Sequence, residues 1–142
     1  MSTTNTRISP WRLGQRFQSE TTVLIVDDNI QNVELFQAFL NVLPVKVLTA
    51  CDGIDALEKV EQHHPDLILL DVMMPRMSGF QVCRRLKTNA ATKDIPILMI
   101  TVLNEPGDTG RARESGTDDF VSKPVNRIEL LTRVQRLLGF ED

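Results

Sequence analysis

A run of apolar residues that ends in a single carboxylate constrains the fold of this chain most. Leu67–Leu70 is continuously apolar, and Asp71 follows it directly. Such a run, without alternating polar residues, predicts a strand buried on both faces, as in the middle of a parallel sheet. The next residues cannot extend the strand, because Pro75 lacks an N–H and Gly79 favours a turn. Asp71 is therefore expected at the C-terminal end of its strand, where ligands collect in open α/β sheets.

Other short apolar or β-branched runs predict the remaining strands. They are Val23–Val26, Val45–Ala50, Ile95–Ile100 and Asp119–Ser122. Apolar residues at helical spacing follow the first, second, third and fifth strands and predict helices, with these stripes: Ile30, Val33, Leu35, Phe36, Phe39 and Leu40; Ile54, Leu57 and Val60; Phe80, Cys83 and Leu86; and Ile128, Leu131, Val134 and Leu138. Strands and helices alternate along the chain. This alternation predicts an α/β fold, a doubly wound five-stranded parallel sheet in the flavodoxin-like order 2-1-3-4-5 with five helices on two faces.

The helix expected after the fourth strand, Asp108–Ser115, is weakly encoded. Ala112 is its only apolar residue, and Gly107 and Gly110 lie beside and within it. An interior glycine costs about 1 kcal/mol relative to alanine. Because mobile elements come from the least stable parts of a fold, we predict that residues 105–116 change their order when the protein changes state.

Composition excludes several classes of function. The 142 residues carry a net charge of −3 with 25% charged residues, which argues against a nucleic-acid surface. No stretch is long and apolar enough for a membrane span, and the N-terminus lacks a signal-peptide core, so a cytoplasmic protein is expected. Residues 1–21 are interpreted as an N-terminal extension, either disordered or a short amphipathic helix, before a domain at 22–142. Cys51 and Cys83 are expected to be small buried hydrophobes.

Polar residues stand just beyond the C-terminal ends of four predicted strands. They are Asp27 and Asp28 after the first, Asp71 after the third, Thr101 after the fourth and Lys123 after the fifth. In the predicted strand order these side chains converge. Two carboxylates ~4 Å apart repel by about 4 kcal/mol at an effective dielectric constant of 20, so a cation is needed beside the lysine. An all-oxygen site with open positions suits Mg²⁺, with Mn²⁺ as an alternative.

The same arrangement favours phosphoryl transfer, which depends mainly on positioning and on neutralising charge. Asp71 would be the nucleophile, and Thr101 and Lys123 would bind phosphoryl oxygens. Each residue also has a simpler interpretation. Asp71, taken alone, would be a turn or helix-cap carboxylate. Asp27 and Asp28 would cap a helix, Thr101 would end a strand, and Lys123 would be a solvated charge.

Taken together, these motifs resemble the response-regulator receiver domain of two-component signalling, the CheY-like superfamily. The resemblance covers residues 22–138. It rests on Asp27-Asp28-Asn29, on LLDVMMPRMSG at residues 69–79, on Thr101, and on Asp118 to Pro124 (DDFVSKP).

The resemblance implies a role for each site residue. Asp71 would be the phosphoacceptor, and Asp28 a direct Mg²⁺ ligand. Asp27 would assist directly or through water, and the main-chain carbonyl of Met73 would complete the ligand set. Thr101 and Phe120 would form a switch pair, although Phe120 is also interpretable as plain core packing. The peptide bond between Lys123 and Pro124 would be cis.

The function implied is a phosphorylation-activated signalling switch rather than an enzyme, since it would catalyse only its own phosphoryl transfer and dephosphorylation. A histidine kinase or histidine phosphotransfer protein would be the donor. The face around helix 4, strand 5 and helix 5 would then control a downstream protein or weak homodimer formation, with no direct nucleic-acid contact and no membrane insertion.

Two alternatives remain open at this point. The chain would be a receiver fragment of a larger regulator or hybrid kinase, or a haloacid-dehalogenase-like phosphatase. The phosphatase would need an acid two residues after the nucleophile, where Met73 stands.

Three apolar residues near the predicted site depart from the common receiver pattern. Val102 is larger than the residue usual after the switch threonine, and Met73 and Leu103 replace polar residues that often orient an attacking water. We therefore predict a long-lived phosphorylated state.

Overall fold

The computed structural model describes residues 21–102 and 107–140. Its strands are β1 (Thr21–Val26), β2 (Val45–Ala50), β3 (Leu67–Asp71), β4 (Ile97–Thr101) and β5 (Asp119–Ser122). Its helices are α1 (Ile30–Leu40), α2 (Gly53–His63), α3 (Gly79–Lys87), α4 (Asp108–Glu114) and α5 (Arg127–Leu138). The strands form one parallel sheet in the order β2-β1-β3-β4-β5. The predicted fold class is confirmed. The proposed N-terminal extension, apart from Thr21, lies outside the described residues.

The sheet separates two apolar layers. Buried residues of α1 and α5 pack on one face, and buried residues of α2, α3 and α4 pack on the other. All five residues of β3 are buried, as the unbroken apolar run predicts. Residues of β1 and β4 contribute to both layers in alternation. The result places Asp71 at the end of the central strand.

Side-chain caps begin four of the helices close to the C-terminal ends of the strands. Asn29 accepts hydrogen bonds from Gln31 N and Asn32 N, and Asp52 accepts one from Asp55 N. The predicted cap at Ser78 is confirmed as a full capping box with Gln81. In α5 the Asn126 side chain accepts from Glu129 N. These caps fix the chain where it leaves the sheet, which is the edge that carries the polar residues.

Several predicted stripe residues are exposed. Ile30, Ile54 and Ile128 are 67%, 55% and 72% exposed, and Leu35 is also exposed. The three isoleucines lie in the first turns of their helices. Leu130 and Ala56 are buried instead. The periodicity therefore indicated the helices correctly but placed their buried faces less well near the N-terminal ends.

The prediction for Cys51 was wrong and that for Cys83 was right. Cys83 is buried on α3, whereas Cys51 is exposed. Cys51 follows β2, which is an edge strand, and lies in the turn before the cap residue Asp52. An edge position leaves such a turn open to solvent. Among the described helices, none has the length and apolar character needed to cross a membrane.

Candidate functional site

Three carboxylates meet at the C-terminal edge of the sheet. Asp27 and Asp28 follow β1, and Asp71 ends β3. One carboxylate oxygen from each residue lies within 4.8 Å of the others. Asp27 and Asp71 are each only 3% exposed, whereas Asp28 is exposed. Two buried acids and one solvent-facing acid therefore share a single small site.

Lys123 supplies the positive charge that faces this cluster. Its Nζ donates to Asp71 Oδ1 at 2.9 Å and lies 3.9 Å from Asp27 Oδ2. The main-chain N–H of Lys123 donates to the Thr101 carbonyl at 2.8 Å, and the Lys123–Pro124 peptide bond is cis. The end of β5 thus holds the ammonium between the two buried carboxylates.

One ammonium does not neutralise the cluster. The pKa of Asp71 is raised above its ordinary value, first because the carboxyl is buried and then because Asp27 and Asp28 repel its charge. The hydrogen bond from Lys123 lowers the Asp71 pKa but does not outweigh burial and repulsion. Oxygen ligands at this spacing, with surplus negative charge, fit a divalent cation of the Mg²⁺ type.

The two acids after β1 are held differently. Asp27 accepts hydrogen bonds from Asn29 N at 2.9 Å and from Asn32 Nδ2 at 3.1 Å, so both of its oxygens are engaged. Asp28 has no hydrogen-bond or ion-pair partner among the described residues. Asp28 is therefore the acid most available to a cation. Asn32 was not predicted as a site residue, because its position in the first turn of α1 was the only signal in the sequence.

Thr101 and Phe120 lie on the neighbouring strands β4 and β5. Thr101 is buried, and its hydroxyl has no side-chain hydrogen-bond partner in the described part of the chain. Phe120 is half-buried against the layer that contains α2, α3 and α4. Thr101 is thus a buried donor beside the site that is available to an added acceptor.

The loop after Asp71 is pinned to the strand end by a close backbone contact. Gly79 N donates to the Val72 carbonyl at 2.9 Å. A Cβ atom built on Gly79 would lie 2.3 Å from the Asp71 carbonyl oxygen. Gly79 was predicted only to form a turn, because its contact with the Asp71 carbonyl depends on the three-dimensional structure. Met73 lies within this loop with its side chain 73% exposed, and Val102 after β4 is 43% exposed. Leu103 lies outside the described residues.

Comparison with known proteins identifies the family. Residues 23–135 match the family model described as the response regulator receiver domain. The chain belongs to this family. Over 119 residues it is 45% identical to the response regulator PleD of Caulobacter vibrioides, which covers 84% of this chain but 26% of that protein. It thus spans about a quarter of that relative's length. Over 118 residues it is 32% identical to the polar-differentiation response regulator DivK of Brucella ovis, covering 83% of this chain and 96% of that one.

Solved receiver structures share the fold. The signal receiver domain of a histidine kinase from Syntrophus aciditrophicus has a TM-score of 0.80 and 34% identity, over 84% of this receiver chain and 90% of that one. The receiver domain of a sensor histidine kinase from Pseudomonas aeruginosa, solved with a magnesium ion coordinated in its active-site cleft, has a TM-score of 0.78 and 30% identity. That match covers 85% of this receiver chain and 99% of the other. The predicted family is confirmed.

Proposed function

We propose that this receiver is a phosphorylation-activated switch whose Asp71 accepts a phosphoryl group from a histidine kinase or histidine phosphotransfer protein. One observation carries the proposal. Asp71 is buried at the end of the central strand, with the Lys123 ammonium at 2.9 Å and two further carboxylates within reach of a shared cation. Signalling by phosphorylation is what membership of the receiver family implies.

In the proposed reaction, a carboxylate oxygen of Asp71 attacks the phosphorus of a phosphohistidine in line with the nitrogen–phosphorus bond. That bond breaks, and its electron pair returns to the imidazole ring. Lys123 then binds one phosphoryl oxygen and the Thr101 hydroxyl donates to another. A Mg²⁺ or Mn²⁺ ion held by Asp27, Asp28, Asp71 and the Met73 carbonyl would neutralise charge on the group in transfer. Asp27, tied to Asn32, would act partly by orienting the site.

The acceptor role is tested with a small donor and no kinase. Wild-type chain is incubated with phosphoramidate and Mg²⁺, and its intact mass is measured. We expect the mass to rise by one phosphoryl group, and the rise to be absent in Asp71→Asn or after chelation of the metal. Asp94→Asn, an exposed acid away from the cluster, serves as the control. Incorporation into Asp71→Asn at the wild-type level would refute the proposal.

Mg²⁺ binding is expected to stabilise the folded chain. At ten times its dissociation constant, a ligand that binds only the native state adds about 1.4 kcal/mol to the free energy of unfolding. Urea unfolding with and without Mg²⁺ measures this gain. We expect Asp28→Asn to lose most of it, because Asp28 has no other partner among the described residues. An equal gain in wild type and Asp28→Asn would contradict the ligand assignment.

The conformational change on phosphorylation would be transmitted from Thr101 to α4. In residues 107–116 only Ala112 and Ser115 are buried among those whose side chains are described, so little apolar area holds this segment to the sheet. We expect its amide hydrogen exchange to slow when beryllofluoride and Mg²⁺ mimic the phosphoryl group, with α1 as an internal reference. Unchanged exchange in 107–116, in a sample whose Asp71 amide region does respond, would exclude this route.

The donor is proposed to dock over the mouth of the site. Ile30, Ile54, Met73 and Val102 are exposed apolar residues, and each follows the C-terminal end of a strand. Apolar side chains gathered at the rim of a polar site suit a transient protein contact. They would also limit water near the phosphoryl group.

We therefore expect a slow loss of the phosphoryl group. Met73→Asn replaces the exposed thioether with a polar amide that can hold a water, and is expected to speed decay several-fold. Dephosphorylation is followed by intact mass after removal of the donor. Met74→Asn is the control, because it makes the same substitution at the neighbouring residue, whose side chain is half-buried. We expect Met74→Asn to leave the decay rate close to that of wild type. Equal decay rates in wild type and Met73→Asn would contradict the proposal that the apolar Met73 side chain limits water near the phosphoryl group.

The proposed output is control of a downstream protein, or of weak self-association, through the face formed by α4, β5 and α5. We propose that this occurs in the cytoplasm without direct nucleic-acid contact or membrane insertion, and that the only reactions catalysed are the chain's own phosphorylation and dephosphorylation. Because the chain spans 26% of PleD, a place within a larger regulator or hybrid kinase is part of the proposal. Light scattering with beryllofluoride separates self-association from control of another protein.

A further inference from the structure

Two adjoining cavities form a groove between α3 and α4, called here the α3–α4 groove. One, of about 270 Å³, is lined by Phe80, Gln81, Arg84, Arg111, Glu114 and Ser115. The other, of about 460 Å³, is lined by Val72, Met73, Met74, Ser78, Phe80 and Arg111. Phe80 and Arg111 line both cavities, so the two spaces adjoin. The larger cavity has the volume of an ordinary ligand site.

The groove is positively charged on an acidic protein. Arg84 on α3 and Arg111 on α4 face the same cavity, are exposed, and have no ion-pair partner among the described residues. Among the described residues, Glu114 is the only carboxylate in either lining. Two arginines and one glutamate therefore give the described lining a net positive charge, on a chain whose net charge is −3. Arginine side chains in this arrangement bind carboxylates in bidentate geometry.

The larger cavity has several apolar lining residues, which are Val72, Met73, Met74 and Phe80. Methionine side chains adapt to differently shaped apolar groups. A small inorganic anion would leave these apolar side chains in water, and a nucleic acid would meet an acidic protein around the groove. An apolar side chain flanked by carboxylates would contact both the apolar lining residues and the arginines.

We propose that the α3–α4 groove binds a segment of a partner protein in which acidic residues flank an apolar anchor. This inference deepens the proposed function and rests on it for its regulation. The N-terminal end of α3 is fixed to the phosphoacceptor strand by the contact between Gly79 N and the Val72 carbonyl at 2.9 Å. The opposite wall, α4, is held only weakly. Ordering of α4 on phosphorylation would pre-form the groove and tighten binding.

The test uses the full chain, activated with beryllofluoride and Mg²⁺, to select binders from a phage-displayed library of random peptides. Selected peptides are synthesised and their affinities are measured by fluorescence anisotropy. We expect enrichment of peptides with Asp or Glu beside an apolar residue. Each should lose about tenfold in affinity for Arg84→Gln and for Arg111→Gln. Arg113→Gln is the matched control, because Arg113 is exposed on the same helix and lines neither cavity.

A further variant fixes the sign of the charge effect. Glu114→Gln removes the only acid among the described lining residues and should strengthen binding. Selection that yields no binder or no acidic bias would overturn the proposal, as would binding unchanged by Arg84→Gln and Arg111→Gln. Failure of the proposed phosphorylation switch would give a different result from failure of the groove proposal. The peptides would still depend on the two arginines, but their affinity would be the same with and without beryllofluoride. Incubation with phosphoramidate would then not increase the mass of the chain.

Discussion

Lys123→Gln is expected to slow phosphorylation of the receiver by phosphoramidate about 100-fold, the usual cost of removing one charge-stabilising donor from a reaction site. Lys123 Nζ donates to Asp71 Oδ1 at 2.9 Å and is 3.9 Å from Asp27 Oδ2, so it is placed to follow charge from the carboxylate to the phosphoryl group. Glutamine keeps a donor of similar length but lacks the charge. Initial rates are compared at saturating Mg²⁺ by intact mass.

The control for this experiment is Lys93→Gln. The Lys93 side chain is exposed and has no ion pair among the described residues, and the change in net charge is the same. A slower initial rate in both variants would mean that the phosphorylation rate depends on the net charge of the chain and not on Lys123 itself. A Lys123→Gln rate close to that of wild type would remove Lys123 from the reaction.

Gly79→Ala is expected to destabilise the receiver by about 3 kcal/mol, the scale of severe overpacking. The added Cβ would lie 2.3 Å from the Asp71 carbonyl oxygen and 2.8 Å from Val72 Cα. Both atoms belong to backbone held in or beside the central strand, so they cannot rotate away as a side chain would. The start of α3 must shift, and the Met73 carbonyl and Asp71 shift with it. Urea unfolding measures the loss.

Gly110→Ala provides a matched control in α4. A Cβ at Gly110 meets nothing within 4 Å of the described structure. There the same substitution should stabilise the chain by about 0.5 to 1 kcal/mol, because alanine has less freedom to lose on helix formation. Opposite signs at the two glycines would support the close contact. A Gly79→Ala chain as stable as wild type would contradict it.

The order of strands and helices along the chain was predictable, because each element is indicated by its own short stretch of sequence. The apolar run before Asp71 marks a strand buried on both faces, and alternating strands and helices leave few arrangements of a parallel sheet. Burial in the first helical turns was less predictable. Ile30 and Ile128 fit the helical stripes but are exposed at the starts of their helices. The exposure of Cys51 was not predicted either, because composition does not show that the strand before it lies at the edge of the sheet.

The location of the site was predictable because polar residues follow several strands that end at the same edge. The details that decide its chemistry depend on distances. That Asn32 engages Asp27 and leaves Asp28 free, and that Gly79 touches the Asp71 backbone, follows from the packed geometry alone. The α3–α4 groove could not be predicted either. Arg84 and Arg111 are far apart in sequence, and only the packing of α3 beside α4 brings them to the same cavity.

The phosphorylated residue of the receiver can be located by chemical reduction and sequencing. Receiver phosphorylated with phosphoramidate and Mg²⁺ is reduced with borohydride, which converts an aspartyl phosphate to homoserine, and the chain is then sequenced by tandem mass spectrometry. Asp27, Asp28 and Asp71 share one site, so the three acids compete. We expect homoserine at position 71 alone. Homoserine at position 27 or 28, or a phosphoryl group retained on a nitrogen with no reduced aspartate, would contradict it.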